Sequence, residues 1–409
     1  MALTMSDLPP EVCVRFLDIP RSPECLSSSN RTNGKWQLLR YIMSLVDSPT
    51  YSDKERQTDL TSFSLVSRSF RAPAQSILYS RPVIRNAGRA FILHRTLSSP
   101  LSSTLSTLVR AFSFRASTFQ DNADPGVSTL ILQQTNPVEI TLGSRLFDAA
   151  HGDESVDELR KVLLEKVDVE SFSFGFHQAS NIHGRIYNFL SRWTELKKLT
   201  LSHFDLQLAY PGLASPTPPP PSYALESLTL LDCYIKPLPP LSLSWVLGST
   251  THHLRTLILS SVTFNAVSSD LFPLLPAHLV NLTHLTLHNL TWVAPRGTPN
   301  PAALYPCRAN SILPVCLALH SLSLEDTFYD KTMDTVFEDL PIPKTLKDLE
   351  VVGKTLFWKI GVTTLVKGGN GAPLQSVVLV GPTVVTTGVK EVLAACKEKG
   401  ILARTRFAP

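Results

Sequence analysis

The chain has 409 residues and a formal net charge of +4, from 38 basic and 34 acidic residues. No cluster or stripe of Lys and Arg stands out, which argues against a nucleic-acid surface, since that needs concentrated positive charge. The six cysteines (Cys13, Cys25, Cys233, Cys307, Cys316, Cys396) lack any Cys-x-x-Cys spacing, so neither a zinc site nor a disulfide framework is indicated and reduced, intracellular thiols are expected.

The N-terminus, Met1-Ala-Leu-Thr-Met-Ser-Asp-Leu-Pro-Pro10, has no basic segment followed by an apolar one, so no signal peptide is expected. Between Arg255 and Arg296 only Asp270 is charged, but Pro273, Pro276 and many Ser, Thr, Asn and His residues interrupt the stretch. It falls short of the roughly 18 apolar residues that a membrane helix needs. A cytoplasmic or nuclear protein that engages no membrane is the expectation.

In chain order, Leu8-Pro-Pro-Glu-Val12 with Val14, Phe16 and Leu17 is a helix start. Residues 20–35 are turn-formers with almost nothing to bury, and so form a loop or disordered insert. Leu38, Leu39, Ile42, Leu45 and Val46 recur at helical spacing. A polar link over 47–58 leads to a second periodic run, with Leu60, Phe63, Val66 and Phe70 on one face, and a short third helix is expected over 74–79.

These residues carry a resemblance. Leu8-Pro-Pro-Glu-Val12, Leu65-Val-Ser-Arg-Ser-Phe-Arg71 and Leu78-Tyr79 resemble the F-box, a three-helix motif that opens with Leu-Pro-x-Glu-Ile and ends near Leu-Val-Cys-Arg-x-Trp-Arg. Ser67 and Phe70 stand where the family often has Cys and Trp. The span from Leu8 to Tyr79 exceeds the motif, and the 20–35 segment accounts for most of the excess. Either the box is split by that insert, or it starts at Gln37 and residues 1–36 are an extension. The resemblance implies binding of a Skp adaptor and, through it, a cullin scaffold and a ubiquitin-conjugating enzyme. Leu8, Pro9, Leu38, Ile42, Leu65, Val66 and Phe70 would be the adaptor-binding residues, docking as helices in a groove. The alternative is a plain helical cap over the first repeat.

From 83 onward the chain is a repeat. The phrases Leu196-Lys-Lys-Leu-Thr-Leu201, Leu225-Glu-Ser-Leu-Thr-Leu230, Leu254-Arg-Thr-Leu-Ile-Leu259 and Leu282-Thr-His-Leu-Thr-Leu287 start 29, 29 and 28 residues apart. Leu-x-x-Leu-x-Leu at a fixed period in the twenties is the signature of a leucine-rich repeat, a unit that buries its apolar side only by stacking. The register extends forward to phrases at Leu319, Leu346 and Leu374, and back to Val169 and to degenerate units over 137–142 and 109–114. Ten units result. The expected fold is an α/β solenoid, a leucine-rich-repeat horseshoe of parallel strands over 83–409, preceded by a three-helix module over 1–82. Directly before a leucine-rich-repeat array is also where one large F-box subclass carries its box.

Return segments differ between units. Helices are expected over 157–167, 186–193, 331–340, 358–366 and 389–396, and a last edge strand over 401–407. Residues 209–223 carry Pro216 and Pro218 to Pro221, which exclude a helix and leave a stiff surface loop or a ligand for an SH3- or WW-type domain. Residues 294–314, also proline-rich, form a protruding loop and a contact site.

Side chains alternate along a strand, so the leucines point inward and positions three, five and seven of each phrase line a concave face. Its candidate target-binding residues are Lys198, Thr200, Thr229, Thr256, His284, His288, Ser323, Glu325, Asp348 and Glu350. Position nine, an Asn in the simplest repeats of this kind, is Phe204, Cys233, Val262, Leu290 and Thr327; a uniform ladder of side-chain amides is therefore not expected. Glu325 should stack beside His288. His284 and His288 are about 13 Å apart by strand rise, too far to share an ion, so a polar recognition patch is favoured over a metal site.

The chain has no Gly-x-Ser-x-Gly elbow, no phosphate-binding loop ending in Lys-Ser/Thr and no His-Glu-x-x-His. A non-catalytic protein without a cofactor is expected. The readings that follow are a substrate-recognition subunit of a Skp–cullin–F-box ubiquitin ligase with an unnamed protein target, a leucine-rich-repeat scaffold with no ligase role, and a GTPase activator. The third would want regular units with a conspicuous Arg.

Overall fold

The computed structural model describes residues 75–76, 78–99, 104–114, 124–147, 153–166, 168–175, 189–203, 221–235, 246–248, 250, 252–265, 276–293, 313–325, 343–352, 366, 374–381 and 387–407. The helices expected before residue 74, that over 331–340 and most of that over 358–366 lie outside these residues, as do both proline-rich loops apart from their ends. Two compact units divide the chain, one comprising Met1–Asp121 with Leu130–Pro137 and the other Asn122–Thr129 with Val138–Pro409.

In the first unit residues 75–76 and 78–80 are helical, in line with the short third helix. Strand β1 (Val83–Ile84) pairs in parallel with β2 (Ala111–Phe114), which is the degenerate unit expected over 109–114. Between them run α1 (Ala87–Leu97) and α2 (Leu105–Leu108). Asn86 caps α1, its side-chain oxygen accepting from the Arg89 amide at 3.0 Å, which satisfies a donor that a helix start otherwise leaves orphaned. Ile84, Phe112 and Phe114 are buried.

Helix α3 (Pro125–Gln134) starts at Asp124, whose carboxylate accepts from the Val127 amide at 3.0 Å. In the second unit follow β3 (Glu139–Gly143), α4 (Asp153–Glu165), β4 (Ser171–Gly175), β5 (Lys198–Ser202), β6 (Ser227–Leu231), β7 (Tyr234–Ile235), β8 (Thr256–Ser260) and β9 (Thr263–Asn265). Then come α5 (Pro276–Leu279), β10 (His284–His288), β11 (Thr291–Val293), β12 (Ser321–Glu325), β13 (Asp348–Val352), β14 (Ser376–Gly381), α6 (Thr387–Glu398) and β15 (Leu402–Phe407).

In the second unit β3 to β6, β8, β10 and β12 to β15 form an all-parallel open sheet in chain order, the arrangement of an α/β solenoid. Every phrase read in the sequence is a strand, and the expected last edge strand is β15. The repeat stacks in register: Leu199 pairs with Leu228, Leu228 with Leu257, Leu257 with Leu285, Leu285 with Leu322 and Leu322 with Leu349. Both inward leucines of each central strand are buried. Each contributes about 2 kcal/mol on burial, a gain that a single unit cannot collect alone. At strand entry one carbonyl accepts from two amides of the next unit. Glu170 O takes Lys197 N (2.8 Å) and Lys198 N (3.0 Å), and Lys197 O, Glu226 O, Arg255 O, Thr283 O, His320 O and Lys347 O repeat the pattern.

The strands end in a turn at position eight of the phrase, where His203, Asp232, Ser261 and Asn289 have φ between 45° and 53°. This left-handed region costs an ordinary side chain roughly 1–2 kcal/mol. The turn directs the backbone sideways, and the His203, Asp232 and Ser261 amides donate to Leu231 O, Ser260 O and His288 O at 2.8, 2.9 and 2.9 Å. Beyond it β7, β9 and β11 pair in parallel as a second, three-stranded sheet. The absence of a position-nine Asn therefore does not leave the central units without a ladder. Backbone groups supply it, and the buried Cys233 thiol donates to Leu201 O at 3.4 Å where an amide would reach in a simpler repeat.

Of the return helices, α4 spans Asp153–Glu165 and buries Val156, Leu159, Val162 and Leu163. It starts ahead of the expected residue 157, with Glu154 in its first turn, where a negative side chain favours the helix N-terminus. The helix expected over 186–193 is helical among the described residues only at Phe189 and Leu190, and Trp193 lies beyond it. Trp193 instead anchors an aromatic cluster, edge-on to Phe172 at 4.8 Å between ring centres and stacked on Phe189 at 5.7 Å. Its indole N–H donates to Leu163 O at 3.3 Å. Helix α6 covers the expected 389–396, buries Val392, Ala395 and Cys396, and packs against β15.

Candidate functional site

The polar residues between the leucines all lie on one face of the second unit's sheet, opposite the buried leucines, as strand alternation requires. Lys198, His284 and Asp348 are exposed there; Thr200, Thr229, Thr256, His288 and Glu350 are half-buried. Parallel register aligns them in rows: Lys198, Ser227, Thr256, His284, Ser321, Asp348 and Ser376 form one, and Thr200, Thr229, Ile258, Thr286, Ser323, Glu350 and Val378 the next.

Two of the ten candidate residues differ from expectation. Ser323 is 8% exposed and Glu325 5%, so neither offers a partner much surface. Ser323 is flanked in its row by Thr286 and Glu350. His288 Nε2 reaches its hydroxyl at 2.7 Å. Ser323 and Glu325 thus support the half-buried His288. Burial holds the His288 imidazole below its usual range, against an opposing pull from the Glu325 and Glu350 carboxylates. The expected neighbourhood of His288 and Glu325 is present, and Glu350 of the following strand acts on the same ring.

The other histidine is separate: His284 Nδ1 lies 2.8 Å from Thr283 Oγ1. Among the described residues no group of three or more His, Cys, Asp or Glu side chains is arranged to hold a metal ion. The face is suited to hydrogen bonding, with hydroxyls in its centre, the exposed Lys198 at one side, and Asp348 and Glu350 at the other. Asp348 accepts from Ser376 Oγ at 2.6 Å.

The same register carried one strand further places Leu402, Arg404 and Arg406 of β15 beside Ser376, Val378 and Val380, hence on the polar face. The candidate face residues ended at Asp348 and Glu350 on β13, and the expected edge strand over 401–407 carries no leucine phrase to set its facing; alternation counted from Leu402 gives both arginines. Leu8, Pro9, Leu38, Ile42, Leu65, Val66 and Phe70, expected from the resemblance to bind an adaptor, lie outside the described residues. Among those described, no helix is long and apolar enough to cross a membrane. No protein-family model matches the chain, and no curated protein is significantly similar to it.

Proposed function

We propose that the chain is the substrate-recognition subunit of a Skp–cullin–F-box ubiquitin ligase. The single observation behind this reading is order along the chain: the box-like Leu8-Pro-Pro-Glu-Val12 and Leu65-Val-Ser-Arg-Ser-Phe-Arg71 stand directly before a parallel repeat array with a continuous polar face. Leu8, Pro9, Leu38, Ile42, Leu65, Val66 and Phe70 dock the adaptor, which brings the cullin and the conjugating enzyme. Lys198, Thr200, Thr229, Thr256, His284, His288, Asp348 and Glu350 bind a protein target, and Ser323 and Glu325 hold His288 in place.

In this role the chain forms and breaks no bond. It ties the target's lysine to the enzyme that carries ubiquitin, so that transfer runs at a high effective concentration. A face rich in hydroxyls, with a cation at one side and carboxylates at the other, discriminates by hydrogen-bond geometry, since a partner that leaves these groups unpaired loses about 1–3 kcal/mol for each.

Co-purification with a Skp adaptor tests the reading, comparing the full chain with one lacking residues 1–82. Retention by the full chain and loss on deletion are expected. Absence of adaptor from the full chain would leave the array as an interaction scaffold with no ligase role.

A further inference from the structure

The second unit's sheet ends at β15. All six residues of this strand are in register with Ser376–Gly381 of β14, and among the described residues no strand lies on its other side. The Leu402 amide donates to Gln375 O at 2.9 Å, toward β14. In a parallel strand successive residues turn their amide groups to opposite sides. Residues 404 and 406 therefore follow 402 toward β14, and Ala403 and Thr405 turn theirs to the open edge. Thr405 is exposed and Leu402 is 54% exposed. Helix α6 packs against β15 with Val392 and Cys396 buried, so what remains open is the edge and the polar face.

Charge selects among the strands that could add there. Arg404 and Arg406 are exposed on the polar face, and among the described residues neither is paired with a carboxylate. An added strand would run about 4.8 Å from them. It would lie about 14 Å, three strand spacings, from Asp348 and Glu350 on β13, beyond the screening length of about 8–10 Å at ordinary ionic strength. The field it meets is thus set by the two arginines. A second copy of the chain, paired antiparallel about Thr405, would set Arg404 of each copy against Arg406 of the other, and like charges directly opposite oppose pairing. The charges that guard the edge against self-association attract an acidic strand.

We propose that the open edge of β15 is a strand-addition site for an extended peptide segment with carboxylates at alternate positions. Main-chain bonds to Ala403 and Thr405 supply the pairing, and Arg404 and Arg406 select the side chains. The site is independent of the N-terminal box and of adaptor binding.

The test is fluorescence anisotropy on the full chain with two labelled peptides, Val-Glu-Val-Glu-Val-Glu-Val and the same sequence with Lys for Glu. Binding of the acidic peptide alone is expected. Thr405→Pro removes an outward amide that β14 does not use, and its ring blocks the edge, so it should abolish binding with an unchanged circular dichroism spectrum; Thr405→Val, which keeps the amide, should bind as the parent. Should the proline variant fail to fold, the exposed pair Arg404→Glu/Arg406→Glu decides, with an expected loss of about tenfold or more from two reversed cross-strand pairs. Equal binding of both peptides, undiminished binding by the folded proline variant or by the charge-reversed pair, or no binding of the acidic peptide to the parent chain would overturn the proposal. So would a dimer of the parent chain that Thr405→Pro dissociates, which would give the edge to a second copy.

Discussion

His288 Nε2 and Ser323 Oγ lie 2.7 Å apart across neighbouring strands, joining a half-buried imidazole to a buried hydroxyl. Burial lowers the pKa of His288 from 6.5 despite the nearby Glu325 and Glu350. The buried His278 is shifted the same way, first by burial and then by His252. The unfolded chain therefore takes up these protons before the folded chain does, and stability from both groups is present above about pH 6.5 and lost as pH falls through their lowered values. The melting temperature should drop between about pH 7 and pH 5, and His288→Gln should make the drop shallower while His278 keeps the remainder. Parallel pH profiles for parent and variant would contradict this linkage.

Trp193 ties return to strand through Phe172, Phe189 and the Leu163 carbonyl. Trp193→Ala should cost about 3–5 kcal/mol by urea denaturation, as expected for an aromatic removed from a closed core. Trp193→Phe keeps most of the packing and leaves Leu163 O with the Lys166 amide at 3.3 Å, so the loss of the indole bond should cost about 1 kcal/mol. Near-equal stability of the phenylalanine variant and the parent would show that the indole bond contributes nothing.

At position eight the left-handed backbone makes a further prediction. Asp232 has φ 51° and is exposed. Its 3.9 Å contact with His203 joins two groups about half exposed, a pair of little worth. Asp232→Gly should leave stability within about 0.5 kcal/mol of the parent, since glycine adopts this region freely. Asp232→Val, β-branched, should lower it by about 1–2 kcal/mol. Thermal melts of the two variants distinguish the backbone effect from loss of the carboxylate, which both share.

The repeat was legible because its signal is local. A leucine phrase at a fixed step sets strand, facing and register together, so β2 to β6, β8, β10 and β12 to β14 follow from the sequence. Strands β7, β9 and β11 did not, because two or three residues show no period; they exist only because stacking aligns Tyr234 with Thr263 and Thr263 with Thr291. The position-eight turn was hidden by its residues, since His203, Asp232, Ser261 and Asn289 carry no glycine to mark it. Alternation put the ten candidate residues of the array on one face of the sheet. It could not show that Ser323 and Glu325 are buried there, because their covering comes from the flanking strands rather than from their own.

The central claim is that the N-terminal box holds an adaptor while the array is left free for a target. Isothermal titration of a purified Skp adaptor into the full chain tests it most directly, alongside the variants Leu65→Asp/Val66→Asp and Lys198→Glu/His284→Glu. A Kd of about 1 µM or tighter is predicted for the parent, with at least a tenfold loss, about 1.4 kcal/mol, in the first variant and no change in the second. No heat of binding to the parent, or equal affinity for parent and Leu65→Asp/Val66→Asp, would contradict the account.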